Sequence, residues 1–228
     1  MKLPDEVIRS PLFAGVDPTA REIAAQAFRT LSVPSGKTVF EAGDDGHALY
    51  VIKKGKVKVS HSNLDGKEKV LAYLGPGEVF GEMSMVDERP RSATATAIKP
   101  TMLYALYLEE YWGLINRYPR IAHNLARIIA RRLREMNHEV EVLTFKEARG
   151  KVAYALLKLH RHNYGEPTRR GRLLAVTQRQ LADMAGTSRE TVTRVVNEFE
   201  MRGFLESNQG TIELFDARGL EKVLYDLD

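Results

Sequence analysis

The chain has 228 residues, enough for one large or two small domains with a sizeable core. Hydrophobic residues make up 43% and charged residues 28%, ordinary for a globular protein. The absence of cysteine removes disulfides, cysteine nucleophiles, thiolate zinc sites and thiolate-ligated iron–sulfur clusters. The longest uncharged run, residues 100–108, is too short to cross a membrane, so no membrane partner and a cytoplasmic location are expected. The formal net charge of +4 is unevenly placed: residues 149–206 carry 11 basic against 6 acidic side chains, whereas residues 207–228 have a net charge of −3. A basic excess confined to one segment is the footprint of a nucleic-acid-binding region, and equally of a solvated face.

In chain order, the first 29 residues read as short helix, with Ile23, Ala27 and Phe28 on its apolar side, until Pro34-Ser35-Gly36 breaks the pattern. From Lys37 to Leu108 the texture changes. Short β-branched and aromatic runs at 38–40, 49–52, 57–59, 70–74, 94–98 and 103–107 alternate with glycine turns, as in a β sandwich, barrel or roll. Leu64-Asp65-Gly66 suits a hairpin turn. Pro119 opens a long helix with no further Pro or Gly before Gly150. Its apolar residues, Ile121, Leu125, Ile129, Leu133, Met136, Val140 and Leu143, settle into alternating steps of four and three, the spacing of a coiled-coil seam. A parallel homodimer is the simplest partner for that stripe, with burial against the chain's own β domain as the alternative. A second helix is expected over 151–162, then a basic loop that opens at Tyr164 and closes at Gly171.

Residues 177–203 predict a helix-turn-helix. Thr177-Gln178-Arg179-Gln180 fits a capping box, Ala185-Gly186-Thr187 is the turn, Ser188 caps the second helix and Gly203 ends it. In the second helix Val192, Val195, Val196 and Phe199 share one stripe, while Arg189, Glu190, Thr193, Arg194 and Asn197 share the opposite one. Arginine can pair with guanine and glutamate can accept from cytosine in the major groove of double-stranded DNA. The strands predicted at 204–206 and 211–214 read as a wing.

These motifs resemble the cyclic-AMP receptor protein and fumarate–nitrate regulator family of bacterial transcription regulators. Ser188-Arg189-Glu190-Thr191-Val192-x-Arg194 looks like the family's recognition helix, Gly81-Glu82 with Arg91-Ser92-Ala93 like its phosphate-binding cassette, and Ala130-Arg131-Arg132-Leu133 like its dimer helix. The resemblance covers nearly the whole chain. It implies an α+β fold: a cyclic-nucleotide-binding β-roll (double-stranded β-helix) over 1–118, a dimerisation helix and hinge over 119–147, and a winged helix-turn-helix over 148–228. It further implies a homodimer that reads TGTGA-like palindromic half-sites and answers to a cyclic nucleotide, cyclic AMP first, with no catalytic cofactor.

The resemblance assigns roles residue by residue. Arg189, Glu190 and Arg194 would read base edges; Thr177 and Thr191 would hold phosphates; Gln178, Ser188 and Thr193 complete the DNA face. Arg91 and Ser92 would hold the cyclic phosphate beside Gly81, Met83 and Ala93. Backbone N–H groups of a short helix over 82–85 would help, and Glu82 would accept from the ribose 2′-hydroxyl. The receptor protein offers Thr and Ser to the adenine; Met136 and Asn137 stand there in this chain, so a different effector or ligand-free activity stays open. Phe145, Lys146 and Glu147 would form the hinge, and the loop from Tyr164 to Gly171 would touch RNA polymerase. A cupin-like metalloenzyme is disfavoured, because His47 and His61 lack a His-x-His partner and His160 and His162 do not share a helix face. No metal site is expected. A haem-based sensor would need an axial-ligand signature that neither His47 nor His61 has.

Overall fold

The computed structural model describes residues 5–62, 68–162 and 164–227, so the expected turn at Leu64-Asp65-Gly66 lies outside the described residues. The chain divides into two compact units, residues 1–134 and 135–228, with the division falling inside a long helix.

The first unit opens with helix α1 (Asp5–Arg9), a 3-10 turn (Pro11–Phe13) and α2 (Pro18–Ala25), whose start is fixed by Asp17 accepting from the Thr19 and Ala20 N–H groups. Eight strands follow: β1 (Arg29–Val33), β2 (Thr38–Phe40), β3 (Ala48–Lys54), β4 (Val57–Ser62), β5 (Glu68–Leu74), β6 (Val79–Phe80), β7 (Thr94–Ala97) and β8 (Thr101–Tyr107), with α3 (Met83–Asp87) between β6 and β7. They form two antiparallel four-stranded sheets, ordered β1-β8-β3-β6 and β2-β7-β4-β5, as the glycine-punctuated strand pattern predicts. Helices α4 (Leu108–Arg117) and α5 (Pro119–Phe145) follow.

Strands β3 and β8 are central in their sheet and are buried on both faces, which is why they read as nearly continuous apolar runs. Leu49, Val51, Tyr104 and Leu106 meet Leu12, Phe13, Ile121, Leu125 and Ile128 on the helical side. Ile52 and Leu103 point the other way, into a core with Val57, Leu74, Phe80 and Ala95.

One expectation fails at the N-terminal end. Strands were expected only from Lys37, but residues 29–33 already form strand β1, paired antiparallel with β8. It is an edge strand with four of its five residues exposed, so it has no inward–outward alternation to betray it.

The long helix divides its apolar residues between two faces. Ile121, Leu125 and Ile128 are buried in the first unit, each burial stabilising by about 1.5–3 kcal/mol. Leu133, Met136 and Val140 are 56%, 61% and 63% exposed. The expected seam is therefore not one stripe: its start belongs to the chain's own sensor core, and only its later residues are open.

The second unit carries α6 (Ala148–Arg161), β9 (Glu166–Pro167), β10 (Arg172–Leu174), α7 (Gln178–Ala185), α8 (Arg189–Met201), β11 (Leu205–Asn208), β12 (Thr211–Leu214) and α9 (Ala217–Tyr225). Its sheet runs β11-β12-β10-β9. The segment expected to be a loop from Tyr164 to Gly171 contains β9, a two-residue strand paired with β10. Leu156, Val192, Val196, Phe199, Leu205, Ile212, Leu220 and Leu224 are all buried in this unit.

Candidate functional site

The cassette is built around a buried cation. The Arg91 backbone is pinned by Gly43 and Asp44, its carbonyl accepting from the Gly43 N–H and its own N–H donating to the Asp44 carbonyl. The side chain, in a residue only 5% exposed, crosses the mouth of β3. Its Nη1 donates to the Gly81 carbonyl at 2.6 Å and its Nη2 to the Ala48 carbonyl at 2.7 Å. The guanidinium lies 4.2 Å from the centre of the Phe40 ring, and Tyr50 and Phe80 stack beyond it. Its buried Nε–H has no partner, and among the described residues no carboxylate forms an ion pair with it. Burial pulls the Arg91 pKa below its ordinary value, with Tyr50, Glu82 and Asp44 pulling against that. Arginine stays protonated all the same, so the site holds a desolvated positive charge.

Two glycines make room for it. Gly81 has φ +73°, and a Cβ there would come within 2.7 Å of Arg91 Nη1; a Cβ at Gly46 would fall 2.1 Å from Ser84 Cβ. Ser92 and Met83 are exposed beside this cation, with the Ser92 hydroxyl 3.5 Å from the Met83 sulfur, and Ala93 is buried. The structure thus brings Gly81, Glu82, Met83, Arg91, Ser92 and Ala93 together.

Glu82, expected from the sequence to be the first residue of the short helix, stands instead at the N-cap of α3, which starts one residue later at Met83, and it makes no side-chain cap bond. Instead its buried carboxylate accepts from Arg132 Nη1 on α5 at 2.5 Å, and Arg132 Nη2 donates to the Val79 carbonyl. In the sequence Arg132 stands out only within the resemblance to a dimer helix. Its signal was there: the buried stripe Ile121, Leu125, Ile128 reaches Arg132 at its next step. Met136 and Asn137 are exposed on α5 within the second unit.

In the second unit Thr177 and Gln180 form a reciprocal capping box, and Gly186 takes φ +61° at the turn. Ser188 accepts from the Thr191 N–H at 3.1 Å and starts α8. Val192, Val195, Val196 and Phe199 face inward; Arg189, Glu190, Arg194 and Asn197 are exposed. The side chains of Arg189, Glu190 and Arg194 make no hydrogen bond or ion pair with other described residues. The wing, β11 and β12, turns at Gly210 with φ +77°.

Of the hinge residues, Phe145 is 80% exposed, Lys146 pairs with Asp226 at 2.7 Å and Glu147 caps α6 through its backbone position alone. Arg170 pairs with Glu206 and lies 3.9 Å from the Phe215 ring centre. Among the described residues, no group of three or more His, Cys, Asp or Glu side chains gathers to hold a metal, and no helix is long and apolar enough to cross a membrane.

A β-roll with a buried arginine in its cassette, and a winged helix-turn-helix whose outer face is free, define a ligand-sensing transcription regulator. Residues 30–118 match the cyclic nucleotide-binding domain family, and residues 150–223 match the Crp-like helix-turn-helix domain family. The chain is 46% identical over 218 residues to the "Cyclic AMP receptor protein" of Thermus thermophilus, covering 96% of this chain and 98% of that one. It is 34% identical over 223 residues to a "CRP-like cAMP-activated global transcriptional regulator" of Mycobacterium tuberculosis, with coverage of 96% and 98%. The crystal structure of the Thermus thermophilus catabolite activator protein matches with a TM-score of 0.57, covering 96% of this chain and all of that one at 46% identity. The chain belongs to the cyclic AMP receptor protein family of transcription regulators, which are DNA-binding proteins governed by cyclic nucleotides and not enzymes.

Proposed function

We propose that the protein is a homodimeric regulator of cytoplasmic transcription that binds cyclic AMP in the β-roll and, so loaded, grips TGTGA-like palindromic half-sites. The working division is 1–118 for sensing, 119–147 for dimerisation and hinge, and 148–228 for DNA. One observation carries the effector: a buried guanidinium with an unused Nε–H and no carboxylate ion pair, beside an exposed Ser92 hydroxyl. Such a site gains most from an anion that can itself be desolvated, and a cyclic phosphodiester carries a single negative charge. Two relatives whose names include cyclic AMP support the same choice.

Arg91 and Ser92 hold the phosphate in this reading, Gly81, Met83 and Ala93 shape the cradle, and Glu82 meets the ribose while keeping Arg132. Asn137 is the base-contact candidate, since its amide both donates and accepts; Met136, between exposed Leu133 and Val140, belongs to the dimer stripe. Arg189, Glu190 and Arg194 read bases, while Thr177, Gln178, Ser188 and Thr191 position phosphates. Phe145, Lys146 and Glu147 flex between the ligand-free and ligand-bound states. Arg169 would carry an RNA polymerase contact, because Arg170 is engaged with Glu206. A ligand moves such an equilibrium only by its differential affinity for the two states.

The test is calorimetric titration with cyclic AMP, cyclic GMP and cyclic di-GMP, followed by binding to a palindromic TGTGA duplex with and without each. Cyclic AMP should bind and tighten DNA binding. DNA binding that no nucleotide alters would overturn the effector and leave the regulator; no DNA binding at all would overturn the regulator. The second reading, a different effector, draws on Met136 and Asn137 and on the fold-level match (24% identity) to a c-di-GMP-responsive regulator of Xanthomonas campestris.

A further inference from the structure

Thr193 lies on the DNA-facing stripe of α8, where its hydroxyl would be free to donate to a base. It is not free. Its Oγ1 donates to the Gln178 side-chain oxygen at 2.6 Å, and among the described residues the one alternative acceptor within reach is the Arg189 carbonyl one turn back at 2.9 Å. A threonine hydroxyl has one hydrogen, and both acceptors for it lie inside the unit. Gln178 is the first residue of α7, so this bond ties the two helices of the helix-turn-helix side chain to side chain.

The consequence falls on Gln178. With its amide oxygen occupied by Thr193, the amide NH2 carries two donors and has no partner among the described residues. We infer that Thr193 is a positioning residue that aims the Gln178 amide at a DNA phosphate, and does not read a base. The inference rests on the DNA-binding reading above. A donor fixed before DNA arrives spares binding the loss of glutamine's rotamer freedom. Phosphate contacts carry no sequence information, so the pair should raise affinity equally on all sequences. Gln178 is neutral and displaces no counterion, so the salt dependence should not register it.

The experiment uses the full chain on the palindromic TGTGA duplex, and on duplexes with each half-site base pair changed in turn, in the effector condition that gives the unaltered protein its tightest binding. Thr193→Val keeps the shape and removes the hydroxyl. It should weaken binding about three- to tenfold on every duplex, the loss of one neutral hydrogen bond, with an unchanged slope of log Kd against log salt. Thr193→Ser should restore affinity. In a Gln178→Ala background Thr193→Val should cost nothing more, which a purely structural role for Thr193 in α8 would not give. Loss confined to one base pair, no loss at all, or an undiminished loss in the Gln178→Ala background would each overturn the inference. Failure of the unaltered protein to bind any duplex would instead overturn the DNA-binding reading.

Discussion

Arg132 of the long helix reaches back to the cassette and donates to the buried Glu82 carboxylate at 2.5 Å. The pair joins the turn that precedes α3 to the long helix, and Glu82 makes no other ion pair among the described residues, though its charge also acts on Arg91. Removing one member of a buried pair strands the other. Arg132→Ala should destabilise the protein by roughly 2–3 kcal/mol, below the figure for a fully buried pair because the arginine is partly solvated. Urea unfolding measures this. Adding Glu82→Gln to that variant should recover part of the loss, and equal stability of the two would contradict the coupling.

The buried cation at Arg91 gives a second prediction. Arg91→Lys keeps the charge but cannot span the Gly81 and Ala48 carbonyls or lie flat on Phe40. Cyclic AMP affinity should fall at least about tenfold, seen as a lost thermal shift on adding nucleotide. Undiminished affinity would mean that the phosphate binds elsewhere.

Much of this fold was legible in the sequence. The capping box at Thr177, the αL turn at Gly186 and the inward valines of α8 are local features, and local spacing reports them. Strand β1 and the short β6 and β9 were not legible, because an edge strand or a two-residue strand exists only through the partner that pairs with it. Arg132 shows the same limit at the site. The heptad spacing of α5 is shared by two neighbouring faces, one meeting the β-roll and one open, and only tertiary packing tells which residue belongs to which. Arg91 reads from the sequence as a candidate phosphate ligand, but nothing in the local sequence shows that the Gly81 and Ala48 carbonyls, 10 and 43 residues away, already occupy two of its donors.

The open face of α5 supplies the dimer test. Met136→Glu and Val140→Glu place charge on side chains that are exposed in the single chain, so the folded protomer should be nearly unaffected. The proposed homodimer should dissociate, halving the mass measured by light scattering. Leu125→Glu, buried in the first unit, should instead unfold the protein. A dimer that survives both exposed substitutions would rule out this stripe as the interface.

Base reading by α8 predicts a selective loss. Arg194→Ala should cost about 1–3 kcal/mol on the preferred duplex and much less on duplexes altered at the one base pair it contacts. Binding measured across the set of altered duplexes would show specificity relaxed at that position alone. A uniform loss would place Arg194 on the phosphate backbone.

His160 sets a pH dependence within the second unit. It lies on α6, and its buried Nδ1 has no partner. Burial lowers its pKa below the ordinary 6.5, and Arg172 of β10 and Arg161 lower it further, against a weaker opposite pull from Glu221 of α9. The folded protein therefore resists protonating this ring, while the unfolded chain accepts the proton near the ordinary value. The unfolded state then binds more protons as pH falls through 6.5, so this residue's contribution to stability declines from about pH 7.5 to 5.5 and is recovered as pH rises. His160→Leu removes the titration without exposing a new polar group. Urea unfolding at both pH values should show a smaller acid-induced loss in the variant than in the unaltered protein. Identical losses would mean that His160 binds its proton equally well in both states.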